Sequence, residues 1–258
     1  MNGPRSWAPR ELRAAAGFLT CTGSSPPAPS SATLVWFPPV GAAIGWAVGK
    51  IWQRADVRSG PLSAAAIVVA ADCLLTGGLH LDGLADSADG LLSHGPGGPR
   101  LEIMAEPQVG AFGVTALVLS VVCRTAALAS LPPSPAMLAA IYCSSRTAMA
   151  AATRALPYAR PSGLATAFLP SGEGEAQVAA ACAAGAAGAL LLASKACGRR
   201  GLWSIVAGWL ASAAVLELAR RKVGGFTGDV LGAAGAAGET VCLLALSGGA
   251  GKGNTRSK

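Results

Sequence analysis

Seven apolar runs, each near the length of a bilayer crossing, constrain this chain more than any motif it carries. They fall at about 34–52, 61–81, 111–131, 136–156, 176–197, 202–219 and 229–247, with short segments of Gly, Pro and charge between them. Roughly 20 apolar residues cross the hydrocarbon core as a helix. A helix also satisfies its own backbone polar groups where no water can. Only 13% of the residues are charged, about half the roughly 25% of soluble domains. Many positions in the runs are Ala or Gly, small residues that let helix backbones approach closely. They are also weakly apolar, which widens the expected count. The expected fold is therefore all-α: a polytopic integral membrane helical bundle of about seven (five to eight) transmembrane helices.

The organisation follows from the same pattern. Residues 1–33 read as an N-terminal segment that ends in the Pro- and Ser-rich loop "GSSPPAPSSAT". Residues 34–247 read as a single membrane domain, with an acidic segment at 77–110 as its candidate metal site. Residues 248–258, "GGAGKGNTRSK", read as a disordered tail. The "GAGKG" inside that tail lacks the early Gly and the Ser or Thr after Lys that a phosphate-binding P-loop requires. Seven cysteines lie mostly inside apolar runs with no metal-ligand spacing, and read as small buried hydrophobes. The formal net charge of +7 sits in inter-helix segments and at the ends. Membrane topology and anionic lipid explain it, and no nucleic-acid partner is implied.

Numbering the runs and alternating sides puts four segments on one face: the N-terminal segment, 82–90, 154–163 and 222–229. These are the segments richest in polar residues and Gly, as a site assembled at one membrane face requires. Lys and Arg divide evenly between the two sides, so the positive-inside rule does not choose which face is cytoplasmic.

The second run ends in "GGLHLDGLADSADGLLSHG", residues 77–95. Asp82, Asp86 and Asp89 are spaced i, i+4, i+7, so a helix puts all three carboxylates on one face, where they repel. Arg58 is the one Lys or Arg between Asp56 and Arg100. A divalent cation is the natural compensator, and hard oxygen donors without thiols point to Mg²⁺. Mg²⁺ keeps substrate phosphates among its ligands, so a phosphorylated substrate follows. The plainer reading of such residues is a solvated helix end capped by Asp. His80 would face away from this row on a continuous helix, unless Gly77 and Gly78 break the helix and re-aim it. A general base, a phosphate hydrogen bond and a packed, hydrogen-bonded His all remain open there.

Asp72, Arg124, Arg146 and Glu217 are ionisable residues within or near the ends of apolar runs, which makes each a functional candidate. Arg146 suits bidentate phosphate binding. In "GGFTGDVLGA", residues 224–233, Gly225 and Gly228 permit close backbone approach, and Thr227 and Asp229 supply oxygen donors.

The segments "TGGLHLDGLADSADGLLS" (76–93), "LEIM" (101–104), "SRTAM" (145–149), "YARPSGLATAF" (158–168) and "GGFTGDVLGA" (224–233) occur in this order. Together they resemble the cobalamin synthases, the adenosylcobinamide-GDP ribazoletransferases, over about residues 18–246. The pairing of "HLDGLAD" with "GGFTGDVLGA" is the most specific part. The resemblance implies a Mg²⁺-dependent transferase of cobalamin biosynthesis in the bacterial cytoplasmic (inner) membrane, working at the cytoplasmic face. It would join adenosylcobinamide-GDP to α-ribazole or α-ribazole 5′-phosphate and release GMP. Asp82, Asp86 and Asp89 would hold the metal, and His80 or an Asp would take a proton. Arg146 and Arg160 would stabilise the departing GMP, and Gly225, Thr227, Gly228 and Asp229 would complete the binding side, with Asp229 as a fourth metal-side carboxylate. The attacking group expected from the resemblance is the 5′-hydroxyl or 5′-phosphate oxygen. This sequence departs from the family pattern at Cys21, in an Arg place, and at Glu106 and Gln108, in Asp and Arg places.

Two other readings fit parts of the sequence. A CDP-alcohol phosphotransferase also sets Asp residues at a membrane helix end, but Asp86 stands where its pattern has Arg and its later Asp pair is missing. A small transporter would use the Asp row as an ion site, but the acidic stretch has no second copy. Partners beyond substrate and membrane lipid are not fixed, and a homo-oligomer is compatible with the sequence.

Overall fold

A computed structural model describes residues 8–21, 25–93, 100–170, 172 and 174–248. Among these, the regular elements are helices: α1 (Ala8–Leu19), α2 (Phe37–Ser59), α3 (Pro61–Thr76), α4 (Leu79–Leu92), α5 (Arg100–Ile103), α6 (Ala111–Ala129), α7 (Pro135–Ala155), α8 (Glu175–Val223) and α9 (Gly228–Ser247). Short 3-10 segments cover Ser31–Trp36 and Leu164–Phe168. Every apolar run of the sequence is helical over most of its length, the second being split between α3 and α4. The helix ends follow local chemistry: α7 starts with Pro135 at its first position, behind Ser134, whose hydroxyl accepts from the Met137 amide at 3.2 Å.

Fewer helices qualify as crossings than the sequence suggests. Four are long and apolar enough: Ser31–Ser59, Ala111–Ala129, Glu175–Val223 and Gly228–Ser247. A fifth is added if the bent pair α3–α4 is one broken span. Two physical reasons bring the count below seven. Helix α7 falls short because it carries Ser144, Ser145, Arg146, Thr147, Thr153 and Arg154, all but Arg154 buried. Helix α8, Glu175–Val223, counts as one candidate crossing although it carries two of the apolar runs. Its 49 residues would make a straight rod of about 73 Å, against a hydrocarbon core of about 30 Å. The rod is broken at Gly198, which is non-helical at φ 57° and ψ −140°. Gly201 then lies so close to the Ala193 carbonyl that a Cβ there would approach it to 2.1 Å. Residues eight apart on a continuous helix are separated by about 12 Å, so the chain reverses at Gly198.

Helix α7 is central. It packs against α2, α8 and α9, and its seam with α2 is the most extensive in the bundle. That seam is a glycine ladder. A Cβ at Gly41 would meet the Tyr142 carbonyl at 2.6 Å, one at Gly45 the Leu138 carbonyl at 2.3 Å, and one at Gly49 the Pro135 Cα at 2.4 Å. Four-residue spacing keeps all three on one face of α2, and their lack of side chains lets the two backbones touch.

The α3–α4 break aims the acidic segment. Gly77 (φ 64°) and Gly78 (φ 69°) are both left-handed, a conformation that glycine adopts without steric cost. The axes of α3 and α4 consequently differ by 91°. Helix α4 runs against α9 and α6 and is closed at its C-terminus by Arg100, which donates to the carbonyls of Gly90 (2.8 Å) and Leu91 (3.1 Å).

We expect Gly45→Ala to lower bundle stability by about 1–3 kcal/mol, since the added methyl meets backbone that cannot yield. Gly188→Ala, with open space around its Cβ position, should leave the midpoint unchanged or raise it. Thermal unfolding of both variants in one detergent compares them directly.

Candidate active site

One cavity of ≈ 150 Å³ collects residues from every segment expected on a common face. Phe18 comes from the end of α1, His80 and Asp82 from the start of α4, Tyr158, Arg160 and Gly163 from the connector after α7, and Gly228 and Asp229 from the start of α9. Two loops are tied together to make this edge. The Phe226 amide donates to the Pro157 carbonyl and the Ala159 amide to the Phe226 carbonyl, both at 2.9 Å. Gly225 has no room for a side chain there, because a Cβ would lie 2.0 Å from the Pro157 carbonyl.

Thr227 is buried and caps α9, its hydroxyl accepting from the Val230 amide at 3.2 Å. Its own hydroxyl hydrogen points to Asp229 Oδ2 at 3.3 Å. Arg160 pairs with the same carboxylate at 3.0 Å and also donates to the Met104 carbonyl at 3.3 Å. Gly228, the first residue of α9, is exposed at the cavity edge. The free amides of a helix N-terminus and its dipole favour an anion there. Beside it, burial pushes the Tyr158 phenol above its usual pKa; Arg160 opposes this and Asp229 adds to it. Tyr158 therefore stays protonated, a hydrogen-bond donor.

The three aspartates of α4 have different fates. Asp82 is exposed and Asp86 half-buried, and the charge on Asp86 feels Asp82, Asp229 and Arg160. Helix α9 approaches closely at this point, since a Cβ on Gly83 would lie 2.7 Å from the Asp229 carbonyl. Asp89, by contrast, is buried and accepts from the amides of Gly110 (2.7 Å) and Gly113 (2.9 Å). It anchors the N-terminus of α6, so the one-faced row splits into an outer pair and an inner anchor. Among the described residues, no three His, Cys, Asp or Glu side chains stand close enough to share a metal ion. The available donors, Asp82 and Asp86 with Asp229 nearby, are carboxylate oxygens. This set fits a hard cation that takes one or two carboxylates and draws its other ligands from substrate and water. Asp89 does not belong to it.

Arg146 is not a free phosphate ligand. Its side chain is 1% exposed and ion-paired with Glu239. Glu239 also binds Arg124 at 3.0 Å, and Arg124 reaches Asp72 at 3.2 Å. This network, with Thr240 accepting from Arg124 Nε at 2.9 Å, lies inside the bundle. His80 touches its edge, with Nδ1 3.4 Å from Arg146 Nη2. A guanidinium only donates, so Nδ1 is the acceptor and Nε2 of the neutral ring carries the hydrogen. His80 lines the cavity, and among the described residues its buried Nε2 has no hydrogen-bond partner.

Glu239 was not singled out in the sequence, although an acidic residue in the middle of an apolar run is itself a signal. Glu217 lies on the surface with Arg220 and Arg221. Cys21 is exposed, and its amide donates to the Leu75 carbonyl at 2.9 Å beside the α3–α4 break. Glu106 and Gln108 are exposed on a separate cavity against Asp89.

The fold and the site define a membrane-type helical bundle whose polar loops gather acidic, basic and helix-end groups around one anion-competent cavity. The cobalamin-5-phosphate synthase family model matches residues 11–247, and the chain belongs to that family. It is 38% identical over 245 residues to the adenosylcobinamide-GDP ribazoletransferase of Bradyrhizobium diazoefficiens, covering 91% of this chain and 92% of that one. It is 35% identical over 217 residues to the proteins of the same name from Escherichia coli and Shigella boydii, covering 83% of this chain and 86% of each. No solved structure matches.

Glu239→Ala leaves two buried guanidiniums short of their shared partner and should cost about 3–5 kcal/mol, read as a fall in unfolding midpoint in detergent. Asp89→Ala strands two backbone amides, at about 1–3 kcal/mol each where they stay dry. Asp82→Ala, at an exposed position, should leave the same midpoint unmoved.

Proposed function

We propose that this protein joins adenosylcobinamide-GDP to α-ribazole or its 5′-phosphate and releases GMP, forming adenosylcobalamin or its 5′-phosphate. Family membership carries the reaction. The single structural observation that supports its placement is the meeting of Asp82, Arg160, Asp229 and the α9 N-terminus around one cavity, with Asp86 beside them.

The chemistry is a phosphoryl-type transfer, in which positioning and charge stabilisation do most of the work. An acceptor oxygen forms a bond to the phosphorus that carries the cobinamide arm, and the bond from that phosphorus to the GMP oxygen breaks. The family's name describes a product that retains a 5-phosphate. The attacking group is then a ribose hydroxyl away from the 5′ position, which replaces the 5′ attack expected from the sequence. Its proton passes to the carboxylate edge of Asp82 and Asp86.

Arg160, the free amides at the start of α9 and the Tyr158 hydroxyl hold the pyrophosphate oxygens in line. Asp229 keeps Arg160 in position through their ion pair. Mg²⁺ bound by Asp82 and Asp86 would neutralise charge on the pyrophosphate and on the departing GMP. Arg146 acts indirectly, by fixing His80 at the cavity wall. The site would face the cytoplasm from the bacterial inner membrane, where nucleotide-activated substrates are made.

In a membrane preparation assayed for GMP release, Asp82→Ala and Asp86→Ala should each lose about a hundredfold or more in rate and weaken the dependence on added Mg²⁺. Rates and Mg²⁺ dependence close to wild type in both variants would reject the carboxylate pair as the metal edge.

A further inference from the structure

The cavity lining is apolar as well as charged. Three phenylalanines from distant parts of the chain meet there. The rings of Phe18 and Phe168 stand edge to face at 4.9 Å, those of Phe37 and Phe168 at 5.4 Å, and those of Phe18 and Phe37 lie near-parallel at 5.9 Å. All three border the cavity, as do Met149 and Leu164. Phe37 and Phe168 are 1% exposed and Phe18 is only half-buried, so Phe18 is the ring with a face to offer. The scaffold beneath is over-determined. Buried Glu11 of α1 accepts from the hydroxyls of Ser30 (2.9 Å) and Thr33, and Arg154 donates to the Phe168 carbonyl at 2.7 Å.

A rigid aromatic corner opening into ≈ 150 Å³ selects by size and polarity. A dry cavity of about this volume lined by Leu, Ile and Phe binds a benzene-sized ring. The corner can take the edge of a small fused aromatic, and a corrin macrocycle is far too large for it. Guanine is disfavoured for another reason. Its carbonyl and amino groups would be stripped of water against Phe, Met and Leu with nothing to replace the lost hydrogen bonds. A benzimidazole with only alkyl substituents carries no such groups on its benzo edge.

We infer that the corner of Phe18, Phe37 and Phe168 seats the aromatic base of the ribazole acceptor. The inference rests on the proposed reaction and assigns its two substrates to opposite ends of one cavity. The acceptor base lies in the apolar corner. The pyrophosphate of the donor lies at the Asp82, Arg160 and Gly228 edge, with its guanosine and corrinoid parts outside. Phe18 thereby sets which acceptor base is accepted.

The test uses the full chain in detergent, with two measurements. In steady-state assays of GMP release, Phe18→Ala should raise the KM for α-ribazole on the order of ten- to a hundredfold, the usual range for losing an aromatic face under a base. The KM for adenosylcobinamide-GDP should stay within about twofold. Phe168→Leu, which keeps the volume largely filled, should shift the α-ribazole KM in the same direction if Phe18→Ala proves unstable. Equilibrium dialysis of α-ribazole alone should show the same weakening without turnover. A rise confined to the adenosylcobinamide-GDP KM, or an unchanged α-ribazole affinity in both variants, would overturn the assignment. Failure of the wild-type chain to release GMP would instead reject the reaction, and dialysis would still decide the subsite.

Discussion

Glu239 holds the bundle's polar interior together. One carboxylate on α9 bridges the guanidiniums of Arg124 on α6 and Arg146 on α7, while Asp72 on α3 supplies the second negative charge through Arg124. His80 on α4 leans on the same cluster through Arg146. Five helices thus converge on two acids and two bases with no net charge. Ionic groups at membrane depth are tolerated only when paired, so each helix that contributes one is locked in rotation by its partners. This differs from the glycine ladder between α2 and α7, where contact depends on absent side chains. The ladder sets how near the backbones come, and the ion network sets which faces meet.

That division explains why the active edge is built where it is. Arg146 and Asp89 are both buried and spent on structure, Arg146 in the ion network and Asp89 at the N-terminus of α6. Toward the start of α4, Asp86 is half-buried and Asp82 is exposed. The left-handed pair Gly77 and Gly78 produces this gradient by turning α4 through 91° from α3. Had α3 continued straight, the aspartates would have followed one membrane axis instead of crossing beneath the start of α9.

Much of this was legible in the sequence. The apolar runs located the helices, and simple alternation of sides brought the N-terminal segment, 82–90, 154–163 and 222–229 together. The i, i+4, i+7 spacing identified the acidic face, yet spacing says nothing about who waits opposite each position. Gly110 and Gly113 claim Asp89 from 21 and 24 residues away, and Glu239 claims Arg146 across 93. Such pairings arise from tertiary packing, which periodicity does not encode. The break between the fifth and sixth runs, by contrast, was legible: the two runs stop on either side of Gly198, where the backbone reverses.

The same contrast accounts for the site's mixed chemistry. A phosphoryl donor needs charge and fixed dipoles, which are most effective where water is scarce. An aromatic acceptor base needs apolar surface, which a membrane-type bundle supplies without special construction. Phe37 and Phe168 belong to the hydrophobic core itself, and Phe18 is laid over them by a helix held at Glu11. The carboxylate, guanidinium and helix-end groups arrive from the other direction, on loops clamped by the Tyr158–Phe226 bridge. Phe226 is buried beneath Tyr158, with ring centroids 5.4 Å apart, so the polar edge is fastened to the apolar core by another aromatic contact. Fixing both ends to one core keeps their separation constant, which is what the proposed in-line transfer between a base-anchored acceptor and a phosphate-anchored donor would require.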